Sequence, residues 1–118
     1  MRRNKFKAVR TNGFASKLEA AGYEWLKARE NVGEIKDIKC QQAVTLIEMN
    51  GHSIRWKIDF SFVDCKTERL EYCEIKGVET ADYRIKLKLY KMNPPAPLTI
   101  VKGTHRRLFI AERVEKKL

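Results

Sequence analysis

Arg55-Trp56-Lys57-Ile58-Asp59-Phe60 and, further on, Glu74-Ile75-Lys76-Gly77 are the stretches whose reading decides the fold. Both have the composition of β-strands, in which side chains alternate between two faces. In the first, Lys57, Asp59 and Ser61 point one way while Ile58, Phe60 and Phe62 point the other. In the second, Glu74 and Lys76 share a face opposite Cys73 and Ile75. If the two strands pair, Asp59, Glu74 and Lys76 converge on one polar patch backed by an apolar layer.

Working outward, Ala43-Val44-Thr45-Leu46-Ile47 and Ser53-Ile54-Arg55-Trp56 flank Asn50-Gly51, a hairpin signal. The second of these strands runs on to Val63. A turn over Asp64 to Glu68 leads into Leu70 to Lys76, which predicts an antiparallel three-stranded meander. Gly77 breaks that strand. Thr80 or Asp82 caps a helix through about Met92, stopped by Pro94-Pro95. Ile85, Leu89 and Met92 form its expected apolar side, and Arg84, Lys86, Lys88 and Lys91 leave much of the remainder basic. Leu98-Thr99-Ile100-Val101 then reads as a buried strand, parallel to the Glu74 strand through a right-handed crossover.

Before the sheet, Thr11-Asn12-Gly13 is a turn signal, and Ser16 followed by Glu19 is a capping-box pattern opening a helix. Leu18, Ala21, Trp25 and Ala28 define its apolar stripe, widened by Tyr23 and Leu26, and Asn31-Val32-Gly33 ends it. A capping role already accounts for Glu19. The expected fold class is α/β, a mixed central sheet (antiparallel meander plus a parallel strand) flanked by helices. It forms one domain over residues 1–118, with a basic arm at 1–12, a core at 14–102 and a basic tail at 103–118.

The chain carries 25 Lys and Arg against 15 Asp and Glu, a net charge of +10 and a pI near 9.7. A small domain this basic is attracted to polyanions, nucleic acid above all. No apolar run is long enough to span a membrane, and no basic amphipathic helix carries a large aromatic face, so no membrane partner is expected. Cys40, Cys65 and Cys73 are odd in number and form no CxxC pair, and His52 and His105 complete no zinc spacing. Free thiols fit a reducing cytoplasm. Arg2, Arg3, Lys5, Lys7 and Arg10 make an N-terminal arm without carboxylates, either a solvated terminus or an arm on a phosphate backbone or a partner subunit. Arg106 and Arg107 add a second basic cluster.

Two carboxylates and an ammonium held together suit phosphodiester hydrolysis. That reaction needs an activated water, charge neutralisation at phosphorus and stabilisation of a departing oxyanion, and divalent metals can supply all three. Magnesium takes hard oxygen ligands and keeps several waters, so Asp59, Glu74 and the Ile75 carbonyl form a sufficient set. Lys76 would hold or deprotonate the attacking water, or offset charge in the transition state. E-x-K on a lysine-rich strand also arises as an ordinary solvated Glu–Lys pair. An acid set among Trp56, Ile58, Phe60 and Phe62, in matching phase, is less readily explained that way.

The order of Glu19 on a helix, Asp59 on a strand and Glu74-Ile75-Lys76 on the next, then helix and strand, resembles the PD-(D/E)XK nuclease superfamily and its restriction-endonuclease-like core. Phe14-Ala15-Ser16-Lys17-Leu18-Glu19 is similar to the head of the first helix in small phage-encoded nucleases. These include relatives of phage endonuclease I, a resolver of four-way (Holliday) DNA junctions, and the nuclease domain of transposon end-cutting proteins. Ile58 stands where many members carry proline. The resemblance covers roughly Phe14 to Val101. It implies catalytic residues Glu19, Asp59, Glu74 and Lys76, metal contacts at Asp59, Glu74, Ile75 and Glu19, and magnesium, or manganese in its place. It also implies a homodimeric DNA endonuclease of phage or mobile-element type acting on branched DNA. Lys86 and Lys88 are candidate phosphate contacts beside the two basic clusters. The alternatives are a non-catalytic basic DNA-binding module, or a nuclease subunit of a larger recombination or packaging complex.

Overall fold

Asn50 and Gly51 both adopt left-handed backbone, with φ of 53° and 78°, as a two-residue hairpin turn requires. They join the two longest strands of the computed structural model, which describes residues 16–116. These are β1 (Ile35–Met49) and β2 (His52–Asp64), paired antiparallel from Ile35↔Asp64 to Met49↔His52. β3 (Arg69–Ile75) returns antiparallel to β2, completing the meander. Thr80 caps α2 (Ala81–Met92) by accepting the Tyr83 N–H, and β4 (Leu98–Thr104) then lies parallel to β3. The chain ends in β5 (Arg107–Val114), antiparallel to β4. One five-stranded mixed sheet results, in the order β1-β2-β3-β4-β5.

The region expected as a tail from residue 103 is therefore mostly sheet. β4 runs to Thr104, and β5 adds an edge strand that buries Val114 against the core. A register shift beside Ile100 and Val101 interrupts its pairing, and Phe109 and Ile110 are both exposed. The N-terminal arm and its basic residues lie outside the described residues.

The two helices cover opposite faces of the sheet. Leu26 of α1 (Lys17–Asn31) packs with Ile35, Phe60, Phe62, Cys73, Ile75 and Val101. Tyr83 and Tyr90 of α2 pack with Val44, Trp56, Ile58, Leu98, Ile100 and Val114. Adjacent residues on one strand, such as Ile100 and Val101, thus serve different layers.

α2 turns a different face inward than its apolar spacing suggested, whereas α1 packs Leu18, Tyr23, Trp25 and Leu26 against the sheet as its spacing predicts. In α2 the buried residues are Tyr83 and Tyr90, with Leu87 beside them, while Ile85 and Met92 are exposed. The tyrosines win because their rings meet Trp56 edge-on at 5.9 and 6.0 Å, and the Tyr90 hydroxyl donates to the Ala96 carbonyl. In α1 the buried residues are Ala20, Gly22 and Leu26, and Ala28 is exposed. A Cβ added at Gly22 would lie 2.6 Å from Ile75 Cγ1 and Cδ1. The helix therefore approaches β3 at its one residue without a side chain. α1 ends as expected near Gly33, which follows the Val32 cap with φ of 83°.

Ile58, Phe60 and Phe62 do not serve one layer: Trp56 and Ile58 join the α2 side, whereas Phe60 and Phe62 join the α1 side. The change falls at Asp59. Its neighbour across the β1–β2 ladder is Gln41, whose φ of 56° interrupts regular strand geometry there.

Candidate active site

The ladder between β2 and β3 runs from Asp64↔Arg69 to Phe60↔Cys73 and then stops. Past that pair the two strands are joined by side chains. The Asp59 N–H donates to Glu74 Oε1 at 3.0 Å, and the Ile75 N–H donates to Asp59 Oδ2 at 2.9 Å. Each carboxylate thus satisfies the backbone of the opposite strand, where ordinary pairing would have used a carbonyl. β3 continues against β4 through Ile75↔Val101, and the Lys76 N–H donates to the Val101 carbonyl at 2.9 Å. Asp59 and Glu74 are consequently fixed at the parting of β2 from β3, each with a second oxygen not used by these bonds.

Their electrostatics are strained. Burial, opposed by the Ile75 N–H and reinforced by the Glu19 charge, pushes Asp59 up to about 6. Glu74 is 5% exposed, and burial together with the Asp59 charge pushes it up to about 8. The pair titrates as a unit. Lys76 offsets both charges, and its Nζ lies 4.7 Å from the centre of the Tyr83 ring on α2. Beneath the pair, burial and the two carboxylates push the Cys73 thiol up to about 12, so it acts as an inert apolar group.

Glu19 reaches the same place from α1. Its N–H is capped by Ser16 Oγ at 3.0 Å, while its Oε2 accepts from Gln41 Nε2 at 2.7 Å. It therefore serves both as part of the helix start and as a site residue. Gln41 is the residue that sequence reasoning missed. A glutamine in left-handed backbone opposite an acid is unusual. Its only sequence signal is the Gln41-Gln42 pair, polar within a strand between Ile38 and Val44.

The structure thus gathers Glu19, Asp59, Glu74, Ile75 and Lys76 and adds Gln41. Lys86 is instead engaged with Asp82 at 3.3 Å along α2, and Lys88 is exposed on that helix. Arg106 and Arg107 are exposed at the β4–β5 turn. Among the described residues, no three His, Cys, Asp or Glu side chains gather closely enough to hold a metal ion by themselves.

A family described as protein of unknown function (DUF1064) matches residues 2–106. The chain belongs to this family. No curated protein and no solved structure matches it. The matched span of this DUF1064 chain takes in every element from α1 to the β4–β5 turn, and so all six residues of the site. Among the described residues, no helix is long and apolar enough to cross a membrane.

Proposed function

We propose that this DUF1064 chain is a metal-dependent endodeoxyribonuclease of the PD-(D/E)XK type, cutting branched DNA as a homodimer. The observation that carries the reading is the reciprocal bonding of Asp59 and Glu74 across parted strands, with the Lys76 charge beside them. Two buried carboxylates this close favour neutral forms or a cation between them. Hard oxygen donors of this kind fit magnesium, with Asp59, Glu74 and the Ile75 carbonyl as its holders. Magnesium, or manganese in its place, would supply charge neutralisation at phosphorus and water activation there.

The chain's own residues account for the rest. Lys76 sits at the end of β3 with its ammonium against Tyr83, placed to orient the attacking water and to offset transition-state charge. Glu19, held by Gln41, adds negative charge beside Asp59. A α/β sheet with this order of helix, acid strand, E-x-K strand, helix and parallel strand supports the restriction-endonuclease-like reading. The charge of +10 supports a nucleic-acid substrate. Two nicks in opposed strands favour a C2 dimer, and phage or mobile-element DNA in a host cytoplasm is the setting that fits.

The test is cleavage of a labelled four-way junction beside a linear duplex of the same sequence, in magnesium and in calcium, with Glu74→Gln as control. Paired cuts in the junction, present with magnesium and lost in the variant, support the reading whole. Cuts in both substrates keep the nuclease and discard junction selectivity. Salt-sensitive binding with no cut under any divalent metal overturns it in favour of a binding module or a subunit of a larger complex.

A further inference from the structure

Beyond Asp59, β2 has no β3 neighbour, yet its ladder with β1 continues from Gln42↔Ile58 to Met49↔His52. A two-stranded ribbon therefore leaves the sheet at the carboxylate pair. At about 3.3 Å per residue it carries roughly 25 Å of strand past the site. Because β3 also ends there, ribbon and site share one end of the molecule, and the Asp64–Arg69 turn lies at the other.

The ribbon's two faces differ. Val44 and Trp56 are buried against the tyrosines of α2. The opposite face shows Ala43 beside Lys57 and Thr45 beside Arg55, all four exposed. These two rungs carry no carboxylate, and Glu48, opposite Ser53, is the next acid along the face. Among the described residues neither Arg55 nor Lys57 has an ion-pair partner, whereas Lys36, Arg84, Lys86, Lys91, Lys102 and Arg113 each have one. Small residues on one strand leave the cations of the other standing clear, and Lys57 is two residues from Asp59 in sequence. A row of uncompensated cations on an open strip complements a polyphosphate chain. A two-stranded ribbon also matches the width of a DNA major groove.

We propose that the outward face of this ribbon, through Arg55 and Lys57, grips the phosphate backbone of duplex DNA beside the cleaved bond. The proposal rests on the nuclease reading and adds the arm that holds the flanking duplex.

The experiment measures anisotropy of a short labelled duplex across a salt series, in calcium, for wild type and two double variants. Arg55→Ala/Lys57→Ala removes the ribbon cations, and Lys66→Ala/Arg69→Ala removes equal charge from the exposed turn at the far end. Two lost phosphate contacts make the slope of log K against log salt shallower by about 1.8 in the ribbon variant, with little change in the control. Equal losses in both variants would mean diffuse attraction only, and would overturn the ribbon assignment. So would an unchanged slope with a halved sedimenting mass, which would give the ribbon to a second copy of the chain. If wild type cuts DNA in magnesium while the ribbon variant keeps its slope, this inference alone fails. If wild type binds no DNA, the nuclease reading fails with it.

Discussion

Asp59 and Glu74 link backbone satisfaction to electrostatic strain. Their amide analogues separate the two effects, because Asp59→Asn and Glu74→Gln keep an acceptor for the Ile75 and Asp59 N–H groups while removing charge. Glu74→Gln is expected to abolish metal-dependent cleavage, and Lys76→Ala to slow it by about 10²–10⁴, as single-turnover rates would read. The pH dependence follows from the raised carboxyls. Folded Asp59 and Glu74 keep protons to about 6 and about 8, above the usual carboxylate range, so unfolding releases protons. Stability without metal therefore falls as pH rises from about 4 to about 8. Asp64, held down by the Thr67 N–H, and Glu79, held down by Lys102, act the opposite way only at lower pH. Urea midpoints in EDTA should decline across that window for wild type and much less for Glu74→Gln. A flat wild-type profile would contradict the buried, shared-proton site.

Among the elements, α1 and α2 set where the site's outer groups lie. Gly22 lets α1 settle on Ile75, and α1 carries Glu19 towards Gln41. Gly22→Ala drives a methyl into a buried isoleucine near its branch, which should cost about 1–3 kcal/mol. It should also slow cleavage by more than the lost folded fraction, since the displaced helix withdraws Glu19. Equal activity per folded molecule would show that α1 position is immaterial to the chemistry. In α2 the Tyr90 hydroxyl satisfies the buried Ala96 carbonyl. Tyr90→Phe should cost about 1–3 kcal/mol in denaturant unfolding while leaving the cleavage rate of the folded protein unchanged.

At the scale of the whole molecule, net charge and the cation site govern binding. A +10 chain with unpaired cations on the site's end should bind DNA with steep salt dependence. Magnesium should stabilise the folded form at pH 8, where the carboxyl pair is most strained. At a concentration tenfold above its dissociation constant the gain is about 1.4 kcal/mol, or roughly 4–6 °C in Tm for a domain of this size. That shift should vanish in Glu74→Gln. An equal shift in the variant would place the bound metal elsewhere.

The sequence by itself determined what is local. Ser16 and Thr80 cap their helices through neighbours three residues away, and Asn50-Gly51 closes its hairpin. Each of these depends on chain geometry over a few residues, so composition carries the signal. Only the tertiary structure decided the rest. How closely α1 settles depended on Gly22 meeting Ile75, and which face of α2 turns inward depended on Tyr83 and Tyr90 meeting Trp56. The strand from Arg107 to Val114 exists because β4 offered an open edge. The recruitment of Gln41 and the change of layer at Asp59 fall where β2 parts from β3. Contacts between residues distant in sequence leave no periodic trace, because neither partner's neighbours need differ for the pair to meet.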